Sequence, residues 1–172
     1  MLRLASFLAV GISLLISGET VAQNSSPSET ATCDFDADRQ LAAEYQPVPI
    51  NPKKPLFGRE IPAGKVWAPG GKPMTLFTNT PVEIGGLKLA PGAYTMFVIP
   101  NAKQWTLIVS KSTDTSGKYD ENMDLVRVLM DSGELPAPEP ELRVSFGHIA
   151  PDQCNLRVDA ASVGNWAVFK QR

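Results

Sequence analysis

Hydrophobic and polar positions alternate along most of the chain in short runs, separated by prolines and glycines too closely spaced for helices of ordinary length. The clearest stretch covers residues 66–111. Within it, LAPGAYTMFVIP (89–100) and KQWTLIVSK (103–111) are apolar runs rich in β-branched and aromatic side chains, parted by a polar break at 100–104. They predict adjacent antiparallel strands joined by a tight hairpin. In the first run Tyr94, Met96 and Val98 share one face, and Ala93, Thr95, Phe97 and Ile99 share the other. Both faces are apolar, so this strand is expected to be central and covered on both sides. Upstream, 74–79 alternates, and 82–84 and 87–89 flank Gly85-Gly86, a pair that supplies the positive φ angles of a two-residue hairpin. Downstream, 124–130, 142–147, 154–160 and 165–170 read as strands. The proline-rich stretches 46–55 and 131–141 read as extended connectors, because each proline removes a backbone donor. The expected class is all-β: an antiparallel β-sandwich, jelly-roll-like, of about eight to ten short strands, with a flattened barrel as the next architecture.

The amino end departs from this pattern. Arg3 precedes an apolar run over 4–16, and Thr20-Val21-Ala22 resembles a small-x-small cleavage site. The expected organisation is a signal peptide over 1–22, a disordered Ser/Thr/Pro-rich tail over 23–32 and a single β-sandwich domain over 33–172. The run falls short of the roughly 20 residues of a membrane span, and no cysteine follows it to carry a lipid. No membrane span is expected after cleavage, and the protein is expected to be periplasmic or secreted. In such an oxidising compartment Cys33 and Cys154, the only cysteines, are expected to form a disulfide. Two distant cysteines and a lone histidine are too few ligands for a metal, so neither metal nor cofactor is expected. A net charge of -2 with mixed signs provides no basic field for nucleic acid.

Asp34, Asp36 and Asp38 imitate the opening of a calcium loop. Arg39 and Tyr45 stand where that loop needs glycine and a bidentate glutamate, and a half-buried strand with Cys33, Phe35 and Ala37 on its inner face is expected instead. Trp67 is expected to be buried with its indole N–H satisfied.

The order of GREIPAGKVW, VEIGGLKLAPGAYTMFVIPNAKQWTLIVSK and GKYDENMDLVRV closely resembles an uncharacterised bacterial family catalogued as domain of unknown function 2911, over roughly residues 33–172. The most specific pieces are Gly58-Arg59, Gly64-Lys65-Val66-Trp67, Pro91-Gly92-x-Tyr94-Thr95, Trp105-Thr106-Leu107-Ile108, and Tyr119-Asp120 with Asp124-Leu125. The resemblance implies a fold and no established activity. Cys33-Asp34-Phe35 and Cys154-Asn155-Leu156 match its early and late cysteine motifs, which supports the same bridge. The chain departs at Ala68-Pro69-Gly70-Gly71-Lys72, where the family usually has a basic residue and then Gly-Ala-Asn, and at Ala160-Ala161, where it has Trp-Glu. If those polar groups line a ligand site in relatives, only Lys72 restores a charge here.

Two functional classes follow. The favoured one is a non-enzymatic exported domain that binds a small molecule, glycan or envelope protein, with Arg59, Lys65, Trp67, Lys72, Tyr119 and Asp120 as its surface. The alternative is a cell-envelope hydrolase of glycan or ester bonds using carboxylates among Asp114, Asp120, Glu121 and Asp124, or His148, three residues after Ser145. No nucleophile-elbow pattern is present, and one strand would aim Ser145 and His148 to opposite faces. Convergence of Arg59, Lys72, Asp120 and His148 in one cleft would favour the enzyme, and dispersal would favour binding.

Overall fold

The computed structural model describes residues 27–51, 53–58 and 61–172. The expected signal peptide and residues 23–26 lie outside them. The described residues hold eleven strands and two 3-10 turns, with no α-helix. In chain order the strands are β1 (Glu29–Asp34), β2 (Gln40–Tyr45), β3 (Val48–Pro49), β4 (Met74–Thr78), β5 (Val82–Ile84), β6 (Leu87–Leu89), β7 (Gly92–Ile99), β8 (Thr106–Ser110), β9 (Asp124–Leu129), β10 (Asp131–Ala150) and β11 (Gln153–Gln171). One sheet has the order β1-β2-β4-β7-β8-β9 and the other β3-β10-β11-β5-β6, with every pair antiparallel. The two form a sandwich and not a closed barrel.

Alternation builds the core. Leu41, Met74, Leu76, Met96 and Leu107 from the first sheet meet Leu142, Leu156, Val158 and Phe169 from the second, all fully buried. Each such side chain contributes about 1.5 to 3 kcal/mol of burial. The hairpin of 89–111 forms as expected, with Met96 opposite Val109 and Val98 opposite Leu107. Gly85 and Gly86 both have positive φ between β5 and β6. A side chain at Gly85 would also strike Val128, with its Cβ 2.6 Å from a valine methyl.

β10 and β11 are long because each changes partner part-way. Ala161 has φ of 49°, the left-handed region that disfavours a side chain, and there β11 turns back on itself. Its halves lie side by side: Gln171 N donates to Asp152 O (2.8 Å), Asn165 Nδ2 to Val158 O (3.3 Å), and the Arg157 guanidinium sits over the Trp166 ring. The stretches expected as separate strands over 142–147, 154–160 and 165–170 are thus three passes of one meander.

Some expectations fail. Residues 29–32, expected in the disordered tail, are part of β1 and pair with β2 from Glu29 opposite Tyr45. The half-buried strand does not reach Ala37. β1 ends at Asp34 because the Asp36 carboxylate accepts hydrogen bonds from the backbone N–H groups of Asp38 and Arg39 and pairs with the Arg39 guanidinium, which makes a turn. That same guanidinium, more than any other contact, holds the Asp36 carboxyl below its ordinary pKa. The 131–141 stretch is not only a connector, since Asp131 to Glu134 pair with Trp166 to Val163. The ladder then has gaps around Glu139, in the region of Pro136, Pro138 and Pro140.

The disulfide is present. Cys33 of β1 and Cys154 of β11 join the two sheets, 121 residues apart in sequence, with both residues buried.

Candidate functional site

The outer face of the six-stranded sheet carries the candidate site. Register places Glu44, Thr75, Thr95 and Ser110 in one row across β2, β4, β7 and β8, and Ala42, Phe77 and Ala93 in the neighbouring row. Residues 111–123 fold back over half of this face. Lys111 N donates to Met123 O (2.9 Å) at the base of the loop, and the Tyr119 ring meets Phe97 edge-on at 5.1 Å. Thr95 and Phe97 are buried beneath, as expected for a strand covered on both sides, and so are Ile108 and Ser110 of β8.

A polar clamp holds the loop down. Tyr119 Oη donates to Asp124 Oδ2 (2.6 Å), and Arg127 donates to Asp124 Oδ2, Tyr119 Oη and Glu121 Oε1 at 2.6 to 2.9 Å. Burial, together with the hydrogen bond to Asp124, pushes the Tyr119 phenol up to about 12. Opposite the clamp, Gly117 (φ 88°) packs on the carbonyl of Gly71, beside a 3-10 turn over Pro69–Gly71.

The uncovered half of the face is a cleft of about 570 Å³. Phe77, 43% exposed, and Ala93 form its apolar floor; Thr75, Thr113 and Thr115 bring hydroxyls, and Glu44 and Lys72 bring opposite charges. The floor is hollow because alanines flank the phenyl ring on both neighbouring strands. Such a surface suits a ligand with one apolar face and several hydrogen-bonding groups.

The residues expected to bind separate. Lys72 lines the cleft. Tyr119 belongs to the clamp, and the Asp120 carboxylate caps the short turn Glu121–Met123 by accepting from Asn122 N (3.0 Å). Lys65 is exposed beside Gly64, on the loop whose Gly64 N donates to Pro100 O. Trp67 is only partly buried; its backbone bridges Val98, and its ring lies 6.5 Å from that of Trp105. Trp105 is the tryptophan that is buried. Arg59 lies outside the described residues.

The carboxylates considered for catalysis have structural partners. Asp114 accepts from Ser116 N (2.8 Å), a bond that lowers its pKa, while Glu121 and Asp124 engage Arg127. Ser145 stands opposite Arg157 and His148 opposite Cys154, so the two are on opposite faces of β10. Sequence reasoning missed Glu44, Phe77, Thr113 and Thr115. Only Phe77 left a signal: in 74–78 it is a large apolar residue on the polar phase of the alternation.

Fold and cleft together define a two-sheet antiparallel sandwich with a strapped outer face. Residues 26–163 match the family described as "Protein of unknown function (DUF2911)", and the chain belongs to that family. No curated protein and no solved structure gives a match. Among the described residues no helix is long and apolar enough to cross a membrane.

Proposed function

We propose that this protein is a non-catalytic binding module of an oxidising, extracytoplasmic compartment, and that its outer-face cleft takes a small polyhydroxylated ligand of the glycan class. The observation that carries this reading is the exposed Phe77 ring on a floor bordered by three threonine hydroxyls, with Glu44 and Lys72 also lining the cleft. An aromatic face buries the apolar side of a sugar ring while hydroxyl and charged groups engage its edge. The bridge between Cys33 and Cys154 supports the compartment. The enzymatic alternative draws less support, because Lys72 lines the cleft whereas His148 lies beside the disulfide and Asp120 serves as a cap.

A thermal-shift screen of soluble oligosaccharides tests the reading. Ligand at 100 times Kd stabilises the folded chain by about 2.7 kcal/mol, a rise of roughly 8 °C for a domain of this size. The rise should vanish in Phe77→Ala and shrink in Lys72→Ala. A saccharide that shifts wild type and Phe77→Ala equally binds elsewhere, and a flat screen removes the glycan assignment.

A further inference from the structure

The sandwich gathers three donor groups that are far apart in sequence. Cys33 comes from the edge strand of the first sheet, while Cys154 and His148 are direct cross-strand partners in the second. Cys33 Sγ, Cys154 Sγ and an imidazole nitrogen of His148 all lie within 4.8 Å of one another. The cysteines are buried and the histidine is exposed, so the cluster has an inner sulfur side and an outer side open to water. The His148 side chain makes no hydrogen bond or ion pair with any described residue, and the β10–β11 register shifts immediately after it. Hence no described residue already engages the imidazole.

We propose that reduction of the Cys33–Cys154 bridge turns this corner of the molecule into a Zn²⁺ site, with two thiolates and the His148 imidazole as ligands and water in the fourth position. Tetrahedral Zn²⁺, with bonds of about 2.3 Å to sulfur and 2.0 to 2.1 Å to nitrogen, requires sulfurs about 3.8 Å apart and each about 3.6 Å from the nitrogen. The imidazole therefore closes by at most about 1 Å and the sulfurs part by about 2 Å, movements within the reach of side-chain rotation. Borderline-soft Zn²⁺ suits mixed thiolate and imidazole donors, and an exposed fourth position is the pattern of sites that exchange a water. The redox step needs a dithiol. Its thiolate attacks one sulfur of the bridge, and its second thiol then displaces the protein sulfur from the mixed disulfide. Two electrons pass to the bridge, leaving two protein thiols and the oxidised reagent. Zn²⁺ then binds both sulfurs as thiolates and releases two protons.

The test uses the full chain, reduced with dithiothreitol without oxygen, desalted and titrated with Co²⁺ as a coloured substitute for Zn²⁺. Expected are a thiolate-to-cobalt charge-transfer band with tetrahedral visible absorption, its loss on adding Zn²⁺, and two protons released per metal. The unreduced chain should show no such band. His148→Ala, which keeps both cysteines, should weaken binding by about tenfold or more, and Cys33→Ala should lose the two-thiolate spectrum. The proposal is overturned by a reduced chain that keeps its β-sheet circular dichroism yet gives no band. It is equally overturned if His148→Ala binds as tightly as wild type, or if reduction abolishes the sheet signal and so disperses the donors.

Discussion

Gly117 provides a sharp test of the strap over the outer face. Replacing it with alanine places a Cβ at φ 88°, where a side chain costs about 1 to 2 kcal/mol. That Cβ would also approach Gly71 O well inside the 3.0 Å limit of real contacts, with the carbonyl carbon at 3.3 Å. Both groups are backbone, so neither moves aside as a flexible side chain would. The loop must lift, taking the Tyr119 ring off Phe97, and uncovering that ring forfeits about 1.5 to 3 kcal/mol. The sum is about 2.5 to 5 kcal/mol. Gly86→Ala is the control: its φ of 81° imposes a similar backbone cost, but nothing lies within 4 Å of the new atom. With a urea dependence of about 2 kcal/mol/M, the Gly117→Ala midpoint should fall below that of Gly86→Ala by about 0.75 to 1.5 M. Trypsin should also cut the native Gly117→Ala chain at Lys111 or Lys118, on the lifted loop. Equal midpoints for the two variants, with the loop still protected, would show that it does not brace the sheet as described.

Two further outcomes follow from the structure. Removing the bridge in the Cys33→Ala/Cys154→Ala chain releases a loop of 121 residues, worth about 5 kcal/mol in the chain-entropy account, so the melting temperature should drop by about 15 °C; a drop of only a few degrees would mean that the sheets hold their ends together without it. Asp159 has its pKa raised by burial, although the Arg157 guanidinium at 3.2 Å opposes the shift, with Glu139 and Arg143 also acting on it. The folded chain therefore holds this proton more tightly than the unfolded one, and the stability it contributes is lost as pH rises from 3.8 through the raised value. Melting curves of wild type and Asp159→Asn across that range should show wild type losing ground to the variant as pH increases, and the opposite trend would refute the sign.

Much of the fold was legible because the decisive information is local. Gly85-Gly86 states its hairpin in two letters, and the alternation of 93–99 states both a strand and its central place. The three C-terminal passes could be read from their apolar phases. What stayed hidden depends on partners distant in sequence. The strap looks like any solvated loop until Tyr119 meets Phe97 and Gly117 meets Gly71. β1 ends sooner than its alternation implies because the Asp36 side chain, competing for backbone N–H groups, cannot be told by period from an outward-facing strand residue. The pairing of 131–134 was masked by the prolines that follow. Of the cleft lining, Lys72 is named from the sequence and Phe77 is not, and the meeting of His148 with both cysteines depends on the register of β10 with β11 and the facing of two sheets.

The return of β11 at Ala161 has a consequence for how the chain acquires its shape. The C-terminal meander is assembled from near neighbours in sequence, which is the kind of contact that forms fastest. The joining of residue 33 to residue 154 spans most of the domain and needs the slowest encounter. The β10–β11 meander should therefore gain protection from hydrogen exchange before the pairings of β3 with β10 and of β5 with β11, with oxidation of the sulfurs recording the end of the process.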